Sequence, residues 1–564
     1  MNYMKTNKDV VTKAVFWIVI VLAILIRVVN LSSVPPHLTP DEAALGYNAY
    51  SILKTGRDEH GAFLPIVFKS FGDYKPGLYV YLTVPFVGLM GLNEFSVRFP
   101  SALMGIISIY LLYLISKKIF SEDKNMSLLV MAVAAFNPWL IYFSRGAWEV
   151  NFSLTLTLAG IYFFLLSLDK NKYLFLSALF FGLTMLAYQG AKLSTGIVVL
   201  LLGFIYHKEI FKYNLKTLAG SAALGLLVVS PILGSLFTGQ SGRLEVFSIF
   251  SYPRSKEYIT AMLNEGGEKI GDGSYLLFHN EPYNFLRGIL GRWFNHFSGR
   301  FLFFEGDFSN PRHSAPYQGM LLMTDIVFLL LGFFSLAKGK ISKEKLFIIL
   351  WLAFASLPAV LSRDQVHAVR SLNMAIPLVF VISFGYLFVL KTVSSFGKIV
   401  KGVLLLTTIL LSLSGITYFI DSYFVHLPVH NSKLWEYGYK QIVETITPIQ
   451  KNYKRIVVQQ SFAQPYIYFL FYQKYDPAKY QKEDNFVNSE YKFDVGYVTK
   501  LDNIYFEGID WSRNRGDHGT LFVADTLRIP PLDSNDPKEF NLVKEIKYKD
   551  NLNTAFRILE VKNK

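Results

Sequence analysis

Residues 14–31 read AVFWIVIVLAILIRVVNL and residues 36–53 read PHLTPDEAALGYNAYSIL. The first is an unbroken apolar run carrying a single arginine near its far end, long enough to cross a hydrocarbon core of ~30 Å as a helix. Ten further runs of this kind lie near 97–116, 126–143, 150–168, 173–190, 193–206, 217–237, 318–337, 345–361, 370–390 and 402–420. The reading is therefore an all-α polytopic membrane protein of eleven spans. The apolar stretch Gly77–Leu92 is interrupted by Pro85 and several glycines and is expected at the interface. No A-x-A-like cleavage site follows the first run, so it is read as a retained helix. Composition agrees: of 564 residues, 52% are hydrophobic and only 17% charged, against about 25% charged in a soluble protein, and the mean hydropathy is +0.32.

The net charge of +14 is unevenly placed, because residues 421–564 hold 20 basic against 19 acidic residues. The excess lies in the membrane half, where it marks topology and anionic headgroups or phosphates, and no nucleic-acid partner is expected. With the N-terminus inside (Lys5, Lys8, Lys13) and eleven crossings, five lysine clusters all face the cytoplasm. These are Lys117, Lys118 and Lys124; Lys170 and Lys172; Lys208, Lys212 and Lys216; Lys338, Lys340, Lys343 and Lys345; and Lys391, Lys398 and Lys401. That satisfies the positive-inside rule at each short loop. Arg98, Arg145, Arg312, Arg363 and Arg370 fall at the opposite ends. The span 193–206 is the shortest, and losing it inverts everything after it. Two outer segments, Ser32 to about Gly77 and Thr238 to Tyr317, are too long for mere connectors. After Phe419 the composition becomes that of a soluble domain, with strand-like runs Arg455–Val458, Thr520–Val523 and Ala555–Val561 and a helical stretch near Gln464–Tyr472. We expect two domains, a transmembrane unit 1–420 and a small α/β domain 421–564 outside the membrane. Zero cysteines exclude disulfides, thiolate metal sites and cysteine nucleophiles.

Candidate chemistry gathers at the outer ends. Thr39, Pro40 and Glu42 form a capping box with proline at the first helical position, which accounts for Glu42 without any function. Asp41 is not required by the cap. Beside apolar groups at a membrane surface, it is the candidate base for a hydroxyl nucleophile. Lys75 follows in Asp73-Tyr74-Lys75-Pro76-Gly77, next to a helix start, where an ammonium serves either as an interfacial anchor or as a partner for lipid phosphate. Further outer candidates are Arg145, Glu149 and Asn151; Gln189 and Lys192; Asp307, Arg312 and His313; and Asp364, His367 and Arg370. Arginine suits bidentate phosphate contact, and at the membrane edge it is costly unless paired or functional. His313 and His367 share no short ligand spacing, so zinc is weakly supported. Asp41, Glu42, Glu149 and Asp307 could gather a divalent cation, although the lysines and arginines suffice without one. Phosphate-loop, serine-elbow and H-E-x-x-H motifs are absent.

Taken together, Thr39-Pro40-Asp41-Glu42, Tyr74-Lys75-Pro76-Gly77-Leu78-Tyr79, Arg98-Phe99-Pro100-Ser101-Ala102, Ser144-Arg145 with Glu149 and Asn151, and His367-Ala368-Val369-Arg370-Ser371 resemble a known family. They are similar to the integral-membrane GT-C glycosyltransferases of the protein O-mannosyltransferase and lipid A aminoarabinose-transferase type (glycosyltransferase family 39), over roughly residues 14–420. The resemblance implies a polyprenyl-phosphate-linked sugar donor and an outer-face site whose catalytic base is an acid of the first outer loop. That role falls on Asp41, with Glu42 beside it, Glu149 as second acid and Lys75 at the lipid phosphate. Tyr74, Arg145, Asn151, Gln189, Lys192, Arg312, His313, His367 and Arg370 complete the expected substrate-binding set. The chain departs from the family pattern at Gly77, where many relatives carry a second proline, and at Asp73-Tyr74 before the lysine.

The expected activity is hexosyl or pentosyl transfer, with inversion, to a hydroxyl of a protein, glycolipid or wall-polymer acceptor at the outer face of the cytoplasmic membrane. Three rivals stand beside it. A lipid-linked glycan transporter or flippase would carry ionisable residues near mid-span; Asp325, read as seven residues into its helix, is the main one seen. A polysaccharide ligase or polymerase would share the arginines without needing the first-loop acids. A scaffold would only display the C-terminal domain.

Overall fold

The structure is a computed structural model describing residues 2–237, 248–461, 463–483, 485–488 and 495–563; the start of the second long outer segment, 238–247, lies outside the described residues. Among the described residues, six helices are long and apolar enough to cross a membrane: Val10–Val28, Glu94–Ile119, Glu149–Ser167, Leu215–Ser235, Leu372–Val393 and Lys398–His430. The run at 126–143 is a broken pair, Asn125–Phe136 and Pro138–Ser144, bent by 57°. Asn137 explains the break, because its side chain caps the second piece through Leu140 N and Pro138 opens that piece. The remaining expected spans are shorter helices: Tyr173–Ala187, Ala191–Ile205, Asp325–Lys338 and Lys343–Phe354. Asp325 is thus the first residue of its helix and not seven residues inside it. Residues 318–324 ahead of it are largely buried but non-helical, and Gly319, Met320 and Leu321 donate to carbonyls of 301–303.

The lysine loops lie together at one end of the bundle. Lys118 pairs with Asp169, Lys391 with Asp123 at 2.9 Å and Lys343 with Glu209 at 2.6 Å. The hydroxyls of Ser167 and Tyr213 meet at 2.9 Å, joining the 208–216 and 338–345 loops to the other three. The first outer segment and the C-terminal domain lie together as well. Tyr468 OH donates to Leu38 O (3.1 Å), Tyr47 OH to Tyr475 O (3.1 Å), Lys440 N to His37 Nε2 (3.1 Å) and Gln481 Nε2 to Asp58 O (2.9 Å). Ala43, Ala44, Tyr47 and Tyr79 share one apolar core with Tyr466, Ile467 and Phe471. Burial of side chains on this scale, ~1.5–3 kcal/mol each, fixes the domain against the loop.

The C-terminal domain is built on a six-stranded mixed sheet. Its central strand Arg455–Gln459 runs parallel to both Ile504–Glu507 and Thr520–Ala524, and Thr554–Val561 lies antiparallel between Thr520–Ala524 and Phe540–Lys547. The helix Pro465–Tyr472 occupies the expected place. Upstream, the last membrane helix Lys398–Asp421 continues through 422–426 and 427–430, so the helical rod reaches His430.

Candidate active site

Two segments of the stretch 32–77 set the site. Helix Pro40–Thr55 starts on the expected capping box: Glu42 N donates to Thr39 Oγ1 (3.2 Å) and Thr39 N to Glu42 Oε2 (3.0 Å). Asp41 therefore projects from the first turn with its side chain 57% exposed. The second segment is a hairpin of Val67–Ser70 and Asp73–Pro76, closed by Phe71 and Gly72, both with positive φ (53° and 84°). Two left-handed residues give the tight turn that matches strand twist. Gly77 follows, and a Cβ there would stand 2.1 Å from the Phe68 ring. This close approach, together with Gly77 N donating to Ile66 O at 2.9 Å, is why glycine and not proline occupies the position.

The hairpin presents Lys75 to Asp41, with Nζ 2.5 Å from Oδ1. Asp41, Lys75 and Glu149 line one recess with Asn48 and Ser70, of about 20 Å³, room for about one water. Surrounding protein works against ionisation of Asp41, but the Lys75 ammonium, its hydrogen bond and the Arg312 charge outweigh this and hold the carboxyl below its ordinary range. Lys75 is itself held above its ordinary value, because Asp41 and Glu149 overcome the effect of burial. Glu149 Oε1 is buried without a hydrogen-bond partner among the described residues.

Glu42 faces the other way. Its oxygens accept from Arg98 Nε (2.9 Å) and Nη2 (3.1 Å), Ala147 N (2.9 Å) and Thr39 N. Arg145 does not reach the recess, since it donates to the carbonyls of Ile26, Val29 and Val34 and its guanidinium lies 4.6 Å from the Phe424 ring. Asn151 donates to Ser101 O and Oγ. Tyr74 lines a separate cavity of about 610 Å³ with Asp58, His60 and Lys69. Gln189, Lys192 and Arg370 are half-buried outside the recess, with Arg370 Nη1 3.4 Å from Asp364 Oδ2. Arg312 acts on Asp41 through charge, and its carbonyl accepts from Tyr142 OH.

His313 and His367, unrelated by spacing, meet at a tilt of 33° with ring centroids 5.1 Å apart. Asp307 Oδ2 accepts from Ala368 N (2.8 Å) and lies 3.1 Å from His313 Nδ1. Burial lowers both imidazoles, against the opposing pull of Asp307 on His313. The ligand-type atoms of Asp307, His313 and His367 lie within 4.8 Å of one another, a donor set suited to a divalent cation. Asp41, Glu42, Glu149 and Asp307 form no such group among the described residues. Sequence reading missed a buried group beside the site: Glu59 accepts from Asn48 Nδ2 (3.0 Å) and is 1% exposed. Burial first, then Asp58, push its carboxyl up to about 8 against the Asn48 hydrogen bond.

Residues 74–234 match the family model of dolichyl-phosphate-mannose-protein mannosyltransferase. No match is found among curated proteins. ArnT from Cupriavidus metallidurans bound to undecaprenyl phosphate superposes with a TM-score of 0.52 at 11% identity, covering 96% of this chain and 97% of that one. Its apo state gives 0.50 at 12% identity, covering 99% and 98%. The oligosaccharyltransferase AglB from Archaeoglobus fulgidus gives 0.48 at 10% identity, covering 82% of this chain and 64% of that one. The resemblance read from the residues is borne out: this multi-pass membrane protein has the fold of the GT-C glycosyltransferase ArnT along nearly its whole length, with a mannosyltransferase family match over residues 74–234.

Proposed function

We propose that the chain transfers a sugar from a polyprenyl-phosphate-linked donor to an acceptor hydroxyl. The convergence of Asp41, Lys75 and Glu149 on one recess carries the reading, and the undecaprenyl phosphate bound to ArnT supports a lipid-phosphate donor. Without substrate, Lys75 neutralises Asp41. A donor phosphate competes for that ammonium, so its arrival frees Asp41 to take the proton of the acceptor hydroxyl. The hydroxyl oxygen attacks the anomeric carbon, the bond to the phosphate oxygen breaks, and polyprenyl phosphate leaves with the electron pair. Lys75 and Arg312, already in place, stabilise the charge that develops. Glu149 faces Lys75 as second acid. Glu42, with both oxygens engaged, positions the loop that carries Asp41, and Arg145 and Asn151 serve the scaffold in the same way. Purified protein should release free polyprenyl phosphate from a labelled donor only when acceptor is supplied. Absence of release would remove the reading in favour of transport or display.

We also infer eleven spans, a division into 1–420 and 421–564, and an extracytoplasmic site in the cytoplasmic membrane. The contacts of the C-terminal domain with the first outer loop support an odd number of crossings, since the two lie on one side. Mutual pairing of the lysine loops supports the short helix Ala191–Ile205 as a true span. Lysine at the opposite face supports a cytoplasmic N-terminus. An impermeant label reacting at a cysteine introduced at exposed Leu527 in intact cells tests the orientation.

A further inference from the structure

A cleft of about 500 Å³ separates the loop 309–313 from the C-terminal domain. Its volume is that of a small-molecule site. Tyr437, Tyr548 and Phe556 supply ring surface, and Asn310, Gln459 and Ser461 supply hydroxyl and amide groups. Formal charge in the lining cancels, with Arg312 and Lys433 against Glu436 and Asp525. Glu436 holds a left-handed backbone (φ 53°) that a non-glycine residue rarely adopts, the kind of local strain that collects at ligand sites. His313 of the lining meets the Trp148 ring edge-on at 5.6 Å. Trp148 directly precedes Glu149 of the recess, and Arg312 of the lining acts on Asp41 through charge, so the cleft and the recess are neighbours.

We propose that this cleft is the acceptor site and that it takes an uncharged saccharide; the proposal rests on the sugar-transfer reading above. A pyranose offers apolar C–H faces and hydroxyl edges. Tyrosine and phenylalanine rings cover such faces, while amides and carboxylates reach the edges. An acceptor bearing phosphates would meet two carboxylates and find only two cations to balance them. A peptide acceptor bound as an added strand requires a free sheet edge. The strands that reach the cleft, Arg455–Gln459 and Thr554–Val561, are interior, with neighbours on both sides.

The full chain, reconstituted in lipid nanodiscs, is titrated with mannotetraose, maltotetraose and chitotetraose, and with a serine/threonine-rich decapeptide. At least one tetrasaccharide should bind the parent protein. Tyr437→Ala and Tyr548→Ala should each weaken that binding about tenfold or more, with melting temperature as the folding control. Binding should survive Asp41→Asn, which removes the base and not the cleft. Binding of the peptide alone, of no tetrasaccharide, or of a tetrasaccharide with unchanged affinity in both tyrosine variants overturns the proposal. Tyrosine-dependent saccharide binding without any release of polyprenyl phosphate would keep the cleft and remove the transfer reading.

Discussion

The Asp41–Lys75 pair separates stability from chemistry. At 2.5 Å the contact is close, yet Asp41 is 57% and Lys75 27% exposed, and water screens such a pair to ~0.2–1 kcal/mol. Removing either partner should move the melting temperature by no more than about 2–4 °C. Catalysis should respond far more. On the proposed transfer Asp41→Asn deletes the general base, costing ~10²–10⁴-fold in rate, while binding of a polyprenyl-phosphate donor should survive. Lys75→Ala removes a cation from the leaving phosphate, a loss of ~10²–10³-fold, with weakened donor use. The pH profile carries a sign. Asp41 is held below the ordinary carboxylate range in the free protein, so the acid limb of kcat/KM should lie below that ordinary range. Without Lys75 the crowding around Asp41 is less opposed, and the limb should move to higher pH in the residual activity of Lys75→Ala. In the parent protein the limb of kcat should lie above that of kcat/KM, because bound phosphate draws Lys75 away. Polyprenyl phosphate release from a labelled donor measures all three profiles. Near-native turnover by Asp41→Asn, or a limb that stays or moves down in Lys75→Ala, would refute the reasoning.

The Glu42–Arg98 pair should behave oppositely, because its side chains are 4% and 0% exposed: Glu42→Gln leaves a buried guanidinium uncompensated at a cost of about 3–5 kcal/mol, read as a large fall in melting temperature. Glu59, raised to about 8 by burial, binds its proton more tightly folded than unfolded. Its contribution is therefore fully present below the unfolded value near 4.5 and lost as pH rises toward 8, and Glu59→Gln should flatten that decline in denaturation series from pH 5 to 8. Gly77→Ala forces the Phe68 ring to move, an overpacking cost of about 1–3 kcal/mol. It should reduce donor use through displaced Lys75, and unchanged donor KM would count against the hairpin as the device that aims it.

What was legible in the sequence was local or periodic. The capping box at Thr39 lies within one turn, the lysine loops follow from hydropathy, and the run Gln464–Tyr472 holds the expected helix. The pairing of Asp41 with Lys75 spans 34 residues and was not read from the sequence, where the family resemblance implied a base at Asp41 and a phosphate partner at Lys75. The hairpin that delivers Lys75 escaped notice because phenylalanine at a left-handed turn position is an unusual signal. Strand Phe540–Lys547 was missed because it is an edge strand with much of its length exposed, so its pattern is polar. Asp307, His313 and His367 come together from two loops more than fifty positions apart, which ligand spacing cannot reveal.

The outer arginines give the sharpest revision. An arginine at the membrane edge must be paired or functional, and sequence reading took the second branch for Arg145. Arg98 and Arg145 instead take the first. Arg98 donates to the carbonyls of Leu31, Pro35 and His37, and Arg145 to those of Ile26, Val29 and Val34. Between them they hold residues 26–37, the stretch joining the first membrane helix to the helix that starts at Pro40, and Arg98 also grips Glu42 beside Asp41. These carbonyls belong to the last turn of the first helix and the non-helical stretch after it, and need donors; a guanidinium reaches several at once. Rigidity here has a chemical purpose, since Asp41 and Lys75 sit on separate segments and a base misplaced by ~1 Å can lose ~10²-fold in rate. On the proposed transfer the two buried arginines act on the position of the base, and charge compensation of the lipid phosphate falls to Lys75 in the recess, with Arg312 acting on Asp41 through charge.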